Sequence, residues 1–409
     1  MNDKQNKIDR RNFLKTVGAT GLASAFARVT IAEPNKPDAP AKNQESKFPQ
    51  VPKRKLGKTG VEVSSLALGT IFDLAENQII LRRSLQLGVN YWDTANNYAN
   101  GQSEIGIGKF LEKNPDARKK LFIVSKASGA KTIAEVEQRL QTSLERMKTD
   151  YIDLYYGVHV MSSPDSLTDE LKQWAEKAKK RGVIKFFGFS SHSNMAECLA
   201  AAPGLGWIDA ALVTYNFRVM QDKKLQAAVE ACHKAGIGLT AMKTQGKPIE
   251  TEDDKKLTDH FLQKGFTEGQ AKIKVVLEDR RFSSLAVRME NIALVNSNVA
   301  AVLDKTKLSQ ADKDIFKQYA DSTCTGYCAG CANICNSALP DTPYVSEVMR
   351  YLMYYNSYGD RDRARELFAQ MPDSIKKKLL NTDYKVAEAR CPQHLPIGKY
   401  VAQALSKLA

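Results

Sequence analysis

The 409-residue chain is 43% apolar and 26% charged, which excludes a disordered or collagen-like polymer and fits a globular protein with a full core. Its 60 Lys and Arg against 46 Asp and Glu give a formal charge of +14, and long-range attraction then favours acidic partners. The lysines are scattered, Lys376, Lys377 and Lys378 forming the longest run, and no aromatic-interleaved basic patch marks a nucleic-acid surface. A solvated basic exterior is the expectation, with no nucleic-acid partner.

At the N-terminus, Arg10 and Arg11 followed by Phe13, Leu14 and Lys15 precede a mildly apolar run over residues 16–27, with small residues at Ala23, Ala25 and Ala27. This resembles a twin-arginine export signal, here residues 1–32, and implies a periplasmic or other extracytoplasmic destination. The run is too short to span a bilayer, and no later segment reaches eighteen consecutive apolar residues, so no stable membrane span is expected in the mature form. The twin-arginine route carries folded proteins, which implies that something is inserted before export. Residues 33–52 follow, with Pro34, Pro37, Pro40, Pro49 and Pro52 among polar residues, and read as a flexible linker.

Beyond the linker, short β-rich runs alternate with stretches of helical periodicity. Strands are predicted at 65–68, 89–92, 122–125, 152–156, 183–189, 210–214, 237–242 and 283–287. Between them, Ile133, Val136, Leu140, Leu144 and Met147 share one helix face, and a further helix is predicted over 225–235. Parallel strands need crossovers that cover the sheet with helices, so eight such repeats predict a (β/α)8 TIM barrel over residues 53–305. In that α/β architecture chemistry sits at the C-terminal ends of the strands.

Asp93 closes the second strand and Tyr98 lies in the loop after it; Lys126 closes the third, and His159 ends the fourth. Taken singly, each has a bland reading as turn former, solvated cation or core side chain. Placed together, they have a chemistry. A neighbouring ammonium favours ionisation of a phenol, and a carboxylate holds that ammonium in place. The phenol is then a proton donor for a carbonyl oxygen, with the imidazole orienting the carbonyl.

The stretch Lys55-Leu56-Gly57-Lys58-Thr59-Gly60, then Leu68-Gly69-Thr70, then residues 87–111 with Gly101-Gln102-Ser103-Glu104 inside, resembles the opening of aldo/keto reductases. The likeness covers about 250 positions and weakens after Met242. It implies a catalytic tetrad of Asp93, Tyr98, Lys126 and His159, with Tyr98 as the acid, and a nicotinamide cofactor (NADP or NAD) across the barrel mouth. By the same resemblance Gly69, Thr70, Ser190, Ser191, Tyr215, Lys243, Arg288 and Asn298 are the cofactor-binding candidates. The sequence also departs from the family. His159 comes one residue late, which a bulge near Gly157 would absorb. Gly188-Phe189-Ser190-Ser191-His192 has Ser191 where the family often has Asn, Leu212 replaces a Gln, and Arg288 takes the place of a phosphate-loop Gly. Arg288 either pairs with a phosphate or blocks the approach that glycine permits. Export adds a constraint, because no free nicotinamide pool is expected outside the cytoplasm. A cofactor loaded before export and tightly held, or none, reconciles the two.

Of seven cysteines, Cys198 and Cys232 fall in helical stretches and are expected in the core. Cys324, Cys328, Cys331 and Cys335 lie close together, and Cys391 follows in Cys391-Pro392-Gln393. Soft thiolates at such spacing suit a 4Fe-4S cluster; disulfides and zinc are the alternatives. The tail resembles the ferredoxin-like extension of some aldo/keto reductases, which implies a small helical iron–sulfur domain over 306–409. By that analogy Cys324, Cys328, Cys331 and Cys391 are the ligands, and the set Cys328, Cys331, Cys335 and Cys391 competes. Helices are predicted over 345–355 and 364–371, with Tyr351, Tyr354 and Tyr355 as core or interface residues.

The sequence thus predicts an exported oxidoreductase acting on a small carbonyl or alcohol substrate, sugar-like in size, with a redox partner protein as a further expectation. The competing reading is a barrel that has lost its cofactor and serves as an iron–sulfur carrier or partner-binding protein.

Overall fold

Strand β1 (Lys53–Lys55) pairs antiparallel with β2 (Glu62–Ser64), and eight further strands close into a parallel barrel. The computed structural model describes residues 47–245, 252–323, 327–342, 344–357 and 360–409. The proposed leader, the linker as far as residue 46, and Cys324 lie outside the described residues. The barrel strands are β3 (Leu66–Gly69), β4 (Tyr91–Asp93), β5 (Phe122–Lys126), β6 (Ile152–Met161), β7 (Ile184–Ser191), β8 (Ala210–Thr214), β9 (Gly238–Met242) and β10 (Phe282–Arg288). All eight predicted strands are present, and β6 runs five residues longer than its sequence pattern implies because bulges after Tyr156 and Val158 let it continue on β7.

Side chains alternate along each strand. Ala67, Tyr91, Val124, Leu154, Tyr156 and Leu212 fill the barrel, joined by Leu56 and Val63 from the β1–β2 hairpin. That hairpin seals the end where the strands begin: Lys58 N–H donates to Gly236 O at 2.6 Å, and a Cβ on Gly57 (φ +50) would lie 2.2 Å from the same oxygen. The other end of the barrel is left for chemistry. The linker is not loose throughout, since Val51 is buried and its N–H donates to Leu87 O.

The outward-facing residues pack against α1 (Gln78–Gln86), α2 (Gln102–Lys113), α3 (Ile133–Met147), α4 (Asp169–Lys180), α5 (Met195–Leu205), α6 (Lys223–Lys234), α7 (Glu252–Gln263), α8 (Glu268–Leu277) and α9 (Ile292–Leu303). Helix α3 shows why: Thr132 and Glu135 form a capping box, and Val136, Leu140, Leu144 and Met147 bury one stripe. Cys198 and Cys232 are fully buried in α5 and α6. Close packing leaves no room at Gly188, where a Cβ would lie 1.9 Å from Ala210 O on the neighbouring strand. Gly188→Ala should therefore destabilise the barrel by about 1–3 kcal/mol or more, read as a lowered urea midpoint; an unchanged midpoint would count against this β7–β8 spacing.

Helix α10 (Gln310–Ser322) belongs to the barrel layer, although it lies beyond residue 305. Its Phe316 ring packs 5.1 Å from Phe217 and 4.9 Å from Phe261. A second core follows, built from α11 (Ala332–Ala338), α12 (Val345–Ser357), α13 (Arg361–Ala369), α14 (Asp373–Leu380), α15 (Lys385–Arg390) and α16 (Ile397–Leu408) around Val345, Leu352, Phe368 and Val401. This helical domain docks on the open end of the barrel. Asn194 N–H donates to Gly330 O at 2.8 Å, and Asn216 Nδ2 donates to the Tyr327 hydroxyl at 3.1 Å. No helix among the described residues is long and apolar enough to cross a membrane.

Candidate active site

Asp93 and Lys126 are the last residues of β4 and β5, adjacent strands of the barrel. The fully buried Lys126 ammonium donates to Asp93 Oδ2 at 2.9 Å and to Thr94 O at 2.6 Å. Burial opposes its charge, but Asp93 and Tyr98 outweigh that and hold Lys126 above its ordinary range. Burial also raises the Asp93 carboxyl, with Lys126 opposing.

Tyr98 sits above this pair, its ring centroid 4.6 Å from Lys126 Nζ. The loop that aims it is strained: Ala99 (φ 48) and Asn100 (φ 52) both adopt left-handed backbone, and Gly101 follows at φ 89. Arg146 on α3 clamps the loop by donating to Asn96 O at 2.6 Å and to Glu104 at 3.3 Å. Burial raises the Tyr98 phenol above its ordinary value, and Lys126 opposes without reversing the shift. The phenol therefore carries its proton at neutral pH and has an ammonium beside it to stabilise the anion.

His159 joins the group through the bulged β6, its ring 6.4 Å from that of Tyr98 and its Nδ1 2.7 Å from Ser128 Oγ. The extra residue is absorbed as the bulge predicts, but Gly157 is needed for space: a Cβ there would lie 2.4 Å from the Phe187 ring. The left-handed residue is Val160 (φ 62), whose N–H is held by Ser190 Oγ at 3.1 Å. Burial, then Lys126, Arg363, Arg350 and Lys243, push the His159 imidazole well below its ordinary 6.5. His192 is lowered likewise, by burial, Lys243 and Arg350. A group depressed on folding binds its proton more readily in the unfolded chain, so stability should fall as pH drops below about 6.5. His159→Asn and His192→Asn should each flatten the loss of Tm between pH 7.5 and pH 5; a slope unchanged in both would contradict this environment.

A cavity of about 880 Å³ opens above these groups. Asp93, Tyr98 and His159 line its floor, and Gly69, Thr70, Lys243 and Arg288 line the same space. Lys126 lies behind them. Arg288 stands at the rim, ion-paired with Glu290 at 2.6 Å. Four cofactor-binding candidates are not brought to the cavity. Ser190 holds Val160 N–H, and Ser191 Oγ donates to Met161 O and Ser193 O. Tyr215 faces the helical layer, stacked 4.2 Å from Phe282 with its hydroxyl donating to Asp279 at 2.6 Å. Asn298 sits one step back, accepting from Gln245, a residue that does reach the cavity.

Sequence reasoning missed His192, Arg350 and Arg363, which line the cavity. Tyr351 and Tyr354, read as core or interface, are indeed buried, and they also roof it. Arg350, Tyr351 and Tyr354 share a face of α12 at helical spacing, which was the available signal; which surface that face covers is a tertiary fact.

In the tail, Cys335 and Cys391 are buried, Cys328 and Cys331 are half-buried, and the described cysteines are all free thiols. Burial first, then the Cys328 and Cys391 thiols, push Cys331 up to about 12; burial, Cys328, Cys331 and Cys391 do the same to Cys335. The four are thus electrostatic neighbours. Among the described residues, however, no group of three or more His, Cys, Asp or Glu side chains is already arranged to hold a metal ion.

Residues 65–313 match the family model of the aldo/keto reductases. The chain is 32% identical over 153 residues to the uncharacterized oxidoreductase YqkF of Bacillus subtilis, covering 34% of this chain and 48% of that protein, about half its length. It is 24% identical over 286 residues to L-galactose dehydrogenase of Arabidopsis thaliana, covering 62% of this chain and 89% of that one. An aldo-keto reductase from Bacillus halodurans shares the fold with a TM-score of 0.55 at 22% identity, covering 66% of this chain and 96% of that structure.

Proposed function

The chain belongs to the aldo/keto reductase family and is an oxidoreductase, and from that premise we propose that it interconverts a carbonyl and an alcohol at the barrel mouth, with Tyr98 exchanging the proton. The observation that carries this reading is the buried Lys126–Asp93 pair beneath a protonated Tyr98, with His159 opening into the same cavity. A substrate carbonyl between Tyr98 and His159 accepts the phenol proton as its oxygen gains charge. Lys126 stabilises the phenolate left behind, and Asp93 keeps Lys126 in place. In the reverse direction the phenolate removes the alcohol proton.

A bound NADPH or NADH supplies the hydride that the carbonyl carbon receives. The cavity suits its phosphates near the end of β10, where Arg288 and the neighbouring Gln245 line it. Gly69 lines this end too, and strand packing requires it to be glycine, since a Cβ there would lie 2.9 Å from Val287 O on β10. With the Ser190 and Ser191 hydroxyls engaged elsewhere, we assign the carboxamide contact to His192, the next residue along, which does line the cavity. The turned-away Ser190, Ser191 and Tyr215 favour one competing reading, a barrel without nicotinamide. NADPH fluorescence titration of the full chain separates them: enhancement or quenching supports the reductase, and no response to NADPH or NADH supports the alternative.

We further propose that the chain is exported by its twin-arginine leader with the nicotinamide already bound, and that the tail holds one 4Fe-4S cluster serving a redox partner protein. Cys328, Cys331 and Cys391 lie close enough to influence one another and Cys335 and would be ligands, the fourth being Cys335 or Cys324, which lies outside the described residues. Anaerobically purified protein should contain about four iron atoms and acid-labile sulfide per chain, both lost in Cys391→Ser. A colourless protein without free tail thiols would mean disulfides.

A further inference from the structure

The roof of the cavity brings a second-domain cation to the catalytic end of the barrel. Arg350 on α12 is 9% exposed and lines the cavity. Its Nη1 donates to Ser193 Oγ at 2.6 Å, which fixes the guanidinium just beyond the end of β7. Lys243 lies at the end of β9 in left-handed backbone, φ 59, an unfavourable conformation for lysine. Its Nζ lies 4.5 Å from the centre of the Tyr354 ring, and that ring meets His192 edge-on at 6.3 Å. Arg350, Lys243 and the two histidines therefore surround one end of the cavity.

Among the described residues, three of the four carboxylates lining this cavity are paired with other cations. Asp93 is paired with Lys126, Glu290 with Arg288 at 2.6 Å, and Glu366 with Arg363 at 2.7 Å. Asp360 is the remaining lining carboxylate among the described residues and faces Lys243; Glu347, one turn back on α12, acts on Arg350 without lining the cavity. Burial, with Arg350 and Arg288 adding to it, pushes Lys243 down to about 8 against the pull of Asp360. Both histidines feel Lys126, Arg350 and Lys243. An anion placed here relieves the like-charge repulsion on Lys243, His159 and His192.

Building on the proposed carbonyl chemistry, we propose that Arg350 and Lys243 form a carboxylate-binding subsite beside His159 and His192, and that the substrate is a carbonyl compound bearing a carboxylate, such as a keto acid or a uronic acid. The planar guanidinium matches a carboxylate in bidentate fashion, and the ammonium adds a second contact. Arg288, ion-paired with Glu290 at the rim, is left to a cofactor phosphate.

The matched probes 4-carboxybenzaldehyde and its methyl ester differ in that one charge. With full-length protein and NADPH, kcat/KM should favour the acid, and the acid-to-ester ratio should fall about ten- to a hundredfold in Arg350→Gln, the scale of one charge-assisted hydrogen bond. Arg350→Lys should retain part of the preference, and it carries the test together with Lys243→Met if the Gln variant does not fold. An acid-to-ester ratio unchanged in these variants overturns the subsite. So does a loss of NADPH affinity matching the loss for the acid, because the anion would then be the cofactor's. If the wild type turns over neither aldehyde, the oxidoreductase chemistry proposed above fails, and calorimetric titration with 4-carboxybenzaldehyde still decides the subsite. Binding weakened by Arg350→Gln supports it; no binding, or equal binding, overturns it.

Discussion

Tyr98→Phe should lower carbonyl reduction by about 10²–10⁴-fold, the range for removing a positioned general acid, while NADPH still binds. The phenol hydroxyl is the only part of the side chain lost, so the ring that lies 4.6 Å from Lys126 Nζ stays in place. Steady-state rates with fluorescence titration check this. Activity within about tenfold of wild type would fall below that range and remove Tyr98 from the proton-transfer role.

Lys126→Met should be costly in two ways. Catalytically, it removes the ammonium that stabilises the phenolate. Structurally, it leaves Asp93 buried without its ion-pair partner, a change that typically costs about 3–5 kcal/mol. Asp93 also has one buried oxygen, Oδ1, with no hydrogen-bond partner, so little else is available to satisfy the charge. The sign with pH follows from the direction of its shift. A carboxyl whose folded pKa is raised gives stability that is present below the unfolded value near 3.8 and lost as pH rises through the folded value. Without Lys126 that rise should be larger, so the stability deficit of Lys126→Met should narrow at acidic pH and widen toward pH 8. The double variant with Asp93→Asn should recover much of the lost stability but not the activity. Urea unfolding at pH 5 and pH 8 reads both effects, and a deficit that the double variant does not reduce would contradict the buried-pair account.

Much of the barrel was legible because its code is local. Strand and helix periodicity place each of the eight repeats, and Asp93 and Lys126 end adjacent strands, so their meeting follows from the pairing of β4 with β5. The delayed His159 was legible too, as a bulge, although the physical reason at Gly157 is the neighbouring Phe187 ring. What was not legible was long-range. Ser190, Ser191 and Tyr215 occupy family positions, yet their hydroxyls are engaged elsewhere, and no pattern in the chain reveals that. That the barrel layer takes in residues beyond 305 was hidden because Phe316 packs against Phe217 and Phe261, residues far away in sequence. Arg350 and Tyr354 entered the site only because the second domain docks on the strand ends, a contact made through Gly330 O and Ser193 Oγ.

Isotope transfer tests the central claim most directly. Full-length protein incubated with an aldehyde and NADPH deuterated at both C4 positions should yield alcohol carrying deuterium on the former carbonyl carbon, with almost none formed by Tyr98→Phe. Unlabelled alcohol, equal labelling by the variant, or no alcohol from a protein that binds NADPH would contradict a working hydride and proton exchange at this barrel mouth.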